Sequence, residues 1–123
     1  MRLPEELQFI QNNRLAQKRT SARMDGKICV VSGATSGVGY HAARRLAAGG
    51  AHIVMICRSE EKALKVQNEL ENTSKVKVDY LIADFRRLAE VSAAAKEIAE
   101  QFLEIHVLVN NAGVFNKRRR LTP

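Results

Sequence analysis

The sequence predicts an α/β fold: a doubly wound parallel sheet with helices on both faces, truncated after a fourth strand and with strands in the spatial order 3-2-1-4. Three observations lead there. Short apolar runs alternate with stretches of helical periodicity in the order β-α-β-α-β-α-β, and short connections between them imply right-handed crossovers and parallel strands. A glycine-punctuated turn, Ser32-Gly33-Ala34-Thr35-Ser36-Gly37-Val38-Gly39, separates the first strand from the helix after it. Finally, all four strand exits carry residues able to meet a ligand, and ligands of such sheets bind at the carboxyl ends of the strands, where strand order reverses.

Residues 4–19 are read as a helix with Leu7, Phe9, Ile10 and Leu15 loosely periodic, and Thr20-Ser21-Ala22-Arg23 as a linker. Residues 1–24 thus form a helical or disordered extension, and 25–123 an α/β half-domain, incomplete at its C-terminus. Asp25-Gly26 is a turn signal before the first strand, whose run Ile28-Cys29-Val30-Val31 suits burial on both faces. In the next helix Val38, Ala42, Leu46 and Gly49 recur along one side, with Ala43 and Ala47 beside them, and Gly49-Gly50 end it. The second strand covers 51–57. Ser59 is the expected N-cap of a helix lined by Ala63, Val66 and Leu70. The third strand covers about 75–83. A helix over 88–102 repeats Leu88, Val91, Ala95, Ile98 and Phe102, and the fourth strand covers 105–109.

Composition excludes several classes. A chain of 123 residues holds one small domain. No apolar window reaches membrane-spanning length, and Pro4, Glu5, Glu6 and Gln8 interrupt any secretory core, while Glu5 and Glu6 argue against a mitochondrial transit peptide. The net charge of +7 divides into +3 over residues 1–24 and +4 over 114–123, with 25–113 neutral. A nucleic-acid binder carries its basic stripe on the folded surface, so charge confined to the two ends points to solvated tails and to no nucleic-acid partner. Cys29 and Cys57 fall in strands without metal spacing, and His41, His52 and His106 show no ligand pattern. No metal is assigned. Buried, reduced thiols fit a cytoplasmic address.

The strand exits carry the chemistry. After the first strand, Gly33 permits a sharp turn, and Gly37 and Gly39 open a helix whose bare N–H groups and dipole seat a phosphate. After the second comes Arg58, with no acid in the strand or at its end before Glu60. An acid at that place binds both ribose hydroxyls, whereas a cation accepts a 2′-phosphate. The expected cofactor is therefore NADP(H) in preference to NAD(H). After the third, Asp84 is an acceptor for the adenine amine or an N-cap for a helix starting at Arg86, with Phe85 packing nearby. After the fourth, Asn110-Asn111-Ala112-Gly113 allow close backbone approach, and their amides can tie neighbouring loops together.

These residues, together with Cys57-Arg58-Ser59, resemble the short-chain dehydrogenase/reductase family, and Cys57-Arg58-Ser59 with the run 106–113 is similar to its retinol-dehydrogenase-like branch. The likeness covers about residues 26–123. Ser32 stands where the family usually has Thr, and Val38 where it often has Ile; hydroxyl and apolar bulk are both kept. The resemblance implies a Rossmann-type fold and cofactor binding by Ser32, Gly33, Thr35, Ser36, Gly37, Val38, Gly39, Arg58, Ser59, Asp84, Phe85, Asn111, Ala112 and Gly113. It further implies hydride transfer between an alcohol and a carbonyl on a small-molecule substrate. The family's catalytic Ser and Tyr-x-x-x-Lys have no counterpart in the chain. Only Tyr40 and Tyr80 are present, followed four residues on by Arg44 and Asp84. No catalytic residue is assigned. The chain reads as the cofactor-binding portion of a longer reductase, with a stand-alone dinucleotide sensor as the alternative and dimerisation left to the missing half.

Overall fold

In the computed structural model, residues 2–13, 15–16, 18–113, 117–119 and 121 are described. Part of the basic stretch 114–123 therefore lies outside the described residues. A 3-10 turn at Glu5–Leu7 runs into α1 (Gln8–Asn12). The sheet and its helices follow as β1 (Ile28–Ser32), α2 (Gly37–Ala48), β2 (His52–Cys57), α3 (Glu60–Ser74), β3 (Val78–Ile82), α4 (Leu88–Gln101) and β4 (Val107–Val109). All strand pairs are parallel, in the order β3-β2-β1-β4. This is the Rossmann-type arrangement expected, with the strand order reversing between β1 and β4.

Alternation along the strands sorts the core into two layers. Cys29 and Val31 of β1 and Ile53 and Met55 of β2 pack on Ala43 and Ala47 of α2 and on Ala63, Val66 and Leu70 of α3. Val30, Val54 and Ile56 point the other way, onto Ala94 and Ile98 of α4. Helices thus cover both faces, which is why β1 and β2 are apolar without interruption.

Five expectations need correction. The buried stripe of α2 is Gly39-Ala43-Ala47, whereas Val38 is 76 % exposed; the smallest residues, not the bulkiest, face the sheet because they let the helix approach it. In α4 the buried pair is Ala94 and Ile98; Ala95 and Leu88 are exposed. The helix expected over 4–19 is one 3-10 turn and five residues of α1, with Leu7, Phe9, Ile10 and Leu15 exposed. So short a helix recovers little of its nucleation cost without a core to pack on. The chain docks only further on, where the Met24 N–H donates to the Gly49 carbonyl at 2.8 Å and Arg23 pairs with Asp25 and reaches the Ala48 carbonyl.

The fourth correction concerns Asp84, which caps no helix. α4 starts at Leu88 with Arg87 as N-cap and no side-chain cap bond. Asp84 instead organises the loop from β3 to α4: Oδ1 accepts the Arg86 N–H at 3.0 Å, and both carboxylate oxygens accept from the Arg86 guanidinium at 2.8–3.1 Å. The fourth strand also starts later than expected. The His106 N–H donates to the Ile28 carbonyl, but the Ile28 N–H is taken by the His106 ring at Nδ1, 2.9 Å away, so regular pairing begins only at Cys29 and Val107.

Two outcomes are expected. Leu70→Ala empties a fully buried site and lowers stability by about 2–5 kcal/mol, whereas Leu103→Ala, at a fully exposed position, stays within about 0.5 kcal/mol; urea midpoints of the two variants compare them. The Arg86 side chain, bonded to Asp84, holds that carboxyl down to about 2 from its ordinary 3.8. A carboxyl with a lower pKa folded than unfolded contributes stability above the unfolded value and loses it as pH falls toward the folded one. Asp84→Asn therefore flattens the decline in thermal midpoint between about pH 4 and pH 2.

Candidate functional site

A cleft of about 300 Å³ opens at the carboxyl ends of the strands. Its walls come from all four exits: Gly33, Thr35 and Ser36 after β1; Ile56, Cys57, Arg58, Ser59 and Lys62 at the end of β2 and start of α3; Ala83, Asp84 and Phe85 after β3; and Asn111, Ala112 and Gly113 after β4. Of the residues expected from sequence, Gly33, Thr35, Ser36, Arg58, Ser59, Asp84, Phe85, Asn111, Ala112 and Gly113 are brought together here. Ser32, Gly37, Val38 and Gly39 are not in the lining, and each has another position in the turn.

Ser32 lies beneath the cleft, 3 % exposed. Its Oγ accepts the Asn111 and Ala112 N–H groups, each at 3.0 Å, and donates to the Val109 carbonyl at 3.3 Å. Asn111 Nδ2 donates to the Gly33 carbonyl at 3.2 Å. The exits of β1 and β4 are thereby joined, as the Asn-Asn-Ala-Gly run led one to expect for its second asparagine. Gly39 has no room for a side chain, since a Cβ there would fall on the Gly33 carbonyl oxygen and on Asn111 Nδ2. Gly33 is in the left-handed region at φ 67°, with Ala112 Cα 3.1 Å from where its Cβ would be. Val38 faces outward at the helix start.

The electrostatics of the cleft favour an anion. α2 begins at Gly37, and its N-cap Ser36 makes no side-chain bond to the first turn. The N–H groups there keep their donor capacity and the positive end of the helix dipole. Across the cleft, Arg58 is exposed, and among the described residues the side chains of Arg58 and Lys62 make no hydrogen bond or ion pair. Ser59 caps α3 by accepting the Lys62 N–H at 3.4 Å. The one carboxylate in the lining is Asp84, and Arg86 occupies both of its oxygens. An adenine amine would have to share those oxygens or meet the backbone. Burial pushes the Cys57 thiol up to about 11, so it contributes neutral, apolar floor.

Sequence reasoning missed Ile56, Cys57, Lys62 and Ala83. Lys62 had a signal: three residues beyond the N-cap, it stands in the first turn of the helix that starts beside Arg58. The two tyrosines are placed elsewhere. The Tyr40 hydroxyl donates to Glu69, the Tyr80 hydroxyl to Glu60 at 3.2 Å, and neither residue lines the cleft. No helix among the described residues is long and apolar enough to cross a membrane.

Comparison with known proteins agrees with this geometry. The family model for short chain dehydrogenase matches residues 27–122. A curated human relative, "Inactive hydroxysteroid dehydrogenase-like protein 1", is 37 % identical over 102 residues, which are 83 % of this chain and 31 % of that protein. Among solved structures, L-sorbose reductase from Gluconobacter frateurii, complexed with NADPH and L-sorbose, superposes with a TM-score of 0.71 at 29 % identity, covering 77 % of this chain and 36 % of that one. A short-chain dehydrogenase from Sphingobium yanoikuyae in complex with NADPH gives a TM-score of 0.66 at 32 % identity, over 71 % and 34 % of the two chains. The chain thus spans about a third of the length of each. The finer likeness to the retinol-dehydrogenase-like branch stays an expectation. With a family model over 27–122 and four parallel strands in the order 3-2-1-4, the chain belongs to the short-chain dehydrogenase family.

Proposed function

We propose that the cleft holds NADP(H) in preference to NAD(H), as the cofactor-binding portion of an oxidoreductase that interconverts an alcohol and a carbonyl. The observation that carries this reading is the pair of uncommitted cations, Arg58 and Lys62, at the exit of β2. A guanidinium offers a planar fork matched to phosphate oxygens, and no carboxylate stands at that exit to receive ribose hydroxyls instead. The residues present fit the group. Arg58, with Ser59 and Lys62, would take the 2′-phosphate. The first turn of α2, which starts at Gly37 beside Thr35 and Ser36, would take the pyrophosphate, with Gly33 and Gly39 letting β1, α2 and the exit of β4 pack closely beneath it. Asp84 and Phe85 would border the adenine, and Asn111, Ala112 and Gly113 would back the central part of the cofactor. The NADPH bound by the two solved relatives supports this assignment by family likeness.

Bound, such a cofactor supplies a hydride donor or acceptor. The chain's own residues bind and orient it, and Ser32 and Asn111 keep the two central walls in register. Proton transfer needs a hydroxyl near the reacting oxygen, and Tyr40 and Tyr80, engaged by Glu69 and Glu60, do not supply one. In a reductase, that part falls to residues this chain does not hold, as does recognition of the small-molecule substrate. Binding without turnover is the second reading, favoured by the word "Inactive" in the name of the human relative. Reduced, buried Cys29 and Cys57 fit a cytoplasmic setting for either.

Titration of both reduced cofactors, followed by their fluorescence, tests the assignment. Losing one charge-assisted contact costs roughly 1.5–3 kcal/mol, so Arg58→Ala weakens NADPH binding by about tenfold to a hundredfold while NADH binding changes less than about twofold. An equal loss for both cofactors, or none for either, removes Arg58 from the 2′-phosphate site.

A further inference from the structure

Arg58 and Asp84 line the same cleft, and after Arg86, whose bonds dominate, the charge of Arg58 also favours the ionised form of the Asp84 carboxyl. A carboxylate and an unpaired guanidinium that share a cleft can form a bidentate pair. Here they do not. Asp84 spends its acceptors on Arg86: Oδ1 receives the Arg86 backbone N–H and Nε, and Oδ2 receives Nε and Nη2. That matches the roughly four lone-pair positions a carboxylate offers. Arg86 itself is outside the cleft lining and half exposed, while the Asp84 side chain is 16 % exposed. The carboxylate oxygens are therefore occupied by the loop that enters α4, and not by Arg58.

Building on the reading of Arg58 as the 2′-phosphate contact, we propose that Arg86 is a positioning residue that sets cofactor discrimination: by engaging Asp84 it keeps Arg58 open for the 2′-phosphate. Two effects run in the same direction. Without Arg86, the Asp84 carboxylate becomes a competitor for the Arg58 guanidinium. Its negative charge, no longer balanced, also repels a phosphate arriving in the same cleft. Neither effect requires Arg86 to touch the cofactor. Both vanish if residue 84 carries no charge, and that separates this role from a structural one.

The test uses the 123-residue chain and two probes that differ only in the 2′-phosphate, adenosine 2′,5′-bisphosphate and adenosine 5′-monophosphate, with dissociation constants from calorimetry. Any adenine contact cancels in their ratio. The unaltered chain prefers the bisphosphate. Arg86→Ala reduces that preference about tenfold, the scale of one charge-assisted contact. Arg86→Lys, with the charge but not the fork, falls between. Adding Asp84→Asn to Arg86→Ala returns the ratio to within about twofold of the starting value, and thermal melts confirm that each variant is folded. An unchanged ratio in Arg86→Ala overturns the proposal, as does a lowered ratio that Asp84→Asn does not restore. If Arg58→Ala leaves the preference intact, the assignment of Arg58 itself fails; if it abolishes the preference while Arg86→Ala does nothing, only the role of Arg86 fails. Absence of binding by either probe to the unaltered chain overturns both.

Discussion

The cleft depends on one hydroxyl. Ser32 ends β1, and its Oγ takes the amides of Asn111 and Ala112 while donating to the Val109 carbonyl. β4 pairs with β1 through only three residue pairs, so the polypeptide leaving β4 has little ladder to hold it. The serine supplies what the ladder does not. Because Ser32 is 3 % exposed, breaking these bonds would leave its hydroxyl buried without partners and release the Asn111 and Ala112 amides from β1. The close approach at Gly33 and Gly39 follows from the same contact: with Asn111 pulled in, its side-chain amide fills the space where a Cβ on either glycine would be.

Those glycines are therefore packing residues first. Gly39 lies under the Gly33 carbonyl, and that contact fixes how α2 begins and where its first-turn N–H groups emerge. The phosphate seat expected from the sequence is thus a consequence of two elements, β1 and α2, being pressed together by a third, the exit of β4. At the other end of the sheet, the His106 ring performs a similar service by receiving the Ile28 N–H. Side chains hold β4 in place above and below its short ladder.

The legible part of the fold was the part governed by size-independent pattern. Runs such as Ile53-Val54-Met55-Ile56 and the alternation of strands with helices reveal a parallel sheet, and the strand order follows from topology. What was misread depended on close packing. In α2 the hydropathy of Val38 drew attention to the wrong phase, because a helix lying tightly on a sheet selects Gly39, Ala43 and Ala47 for their smallness. The site divided in the same way. Strand tips were identified, since topology locates them, whereas Lys62 belongs to the first turn of the following helix and was overlooked. Arg86 was invisible for another reason: beside Arg87 it reads as a solvated charge, and only the geometry of Asp84 reveals its partner.

Charge in the cleft is best understood as a matter of which ions are already spoken for. Its lining contains two cations and one anion, a modest excess that would vanish in effect if Asp84 turned to Arg58. The third cation, outside the lining, prevents that by occupying both oxygens of the anion. A preference for an extra phosphate then requires no dense basic patch, and residues 25–113 can remain neutral overall while the exit of β2 stays positive. The same arrangement separates two functions of Asp84 that the sequence could not separate. Its backbone and its Oδ1 shape the loop entering α4, and its charge is neutralised locally, so the loop is anchored by an acid without the cleft acquiring one. Only geometry shows which acceptors of an acid at a strand exit are already occupied, and here Arg86 takes both oxygens of Asp84.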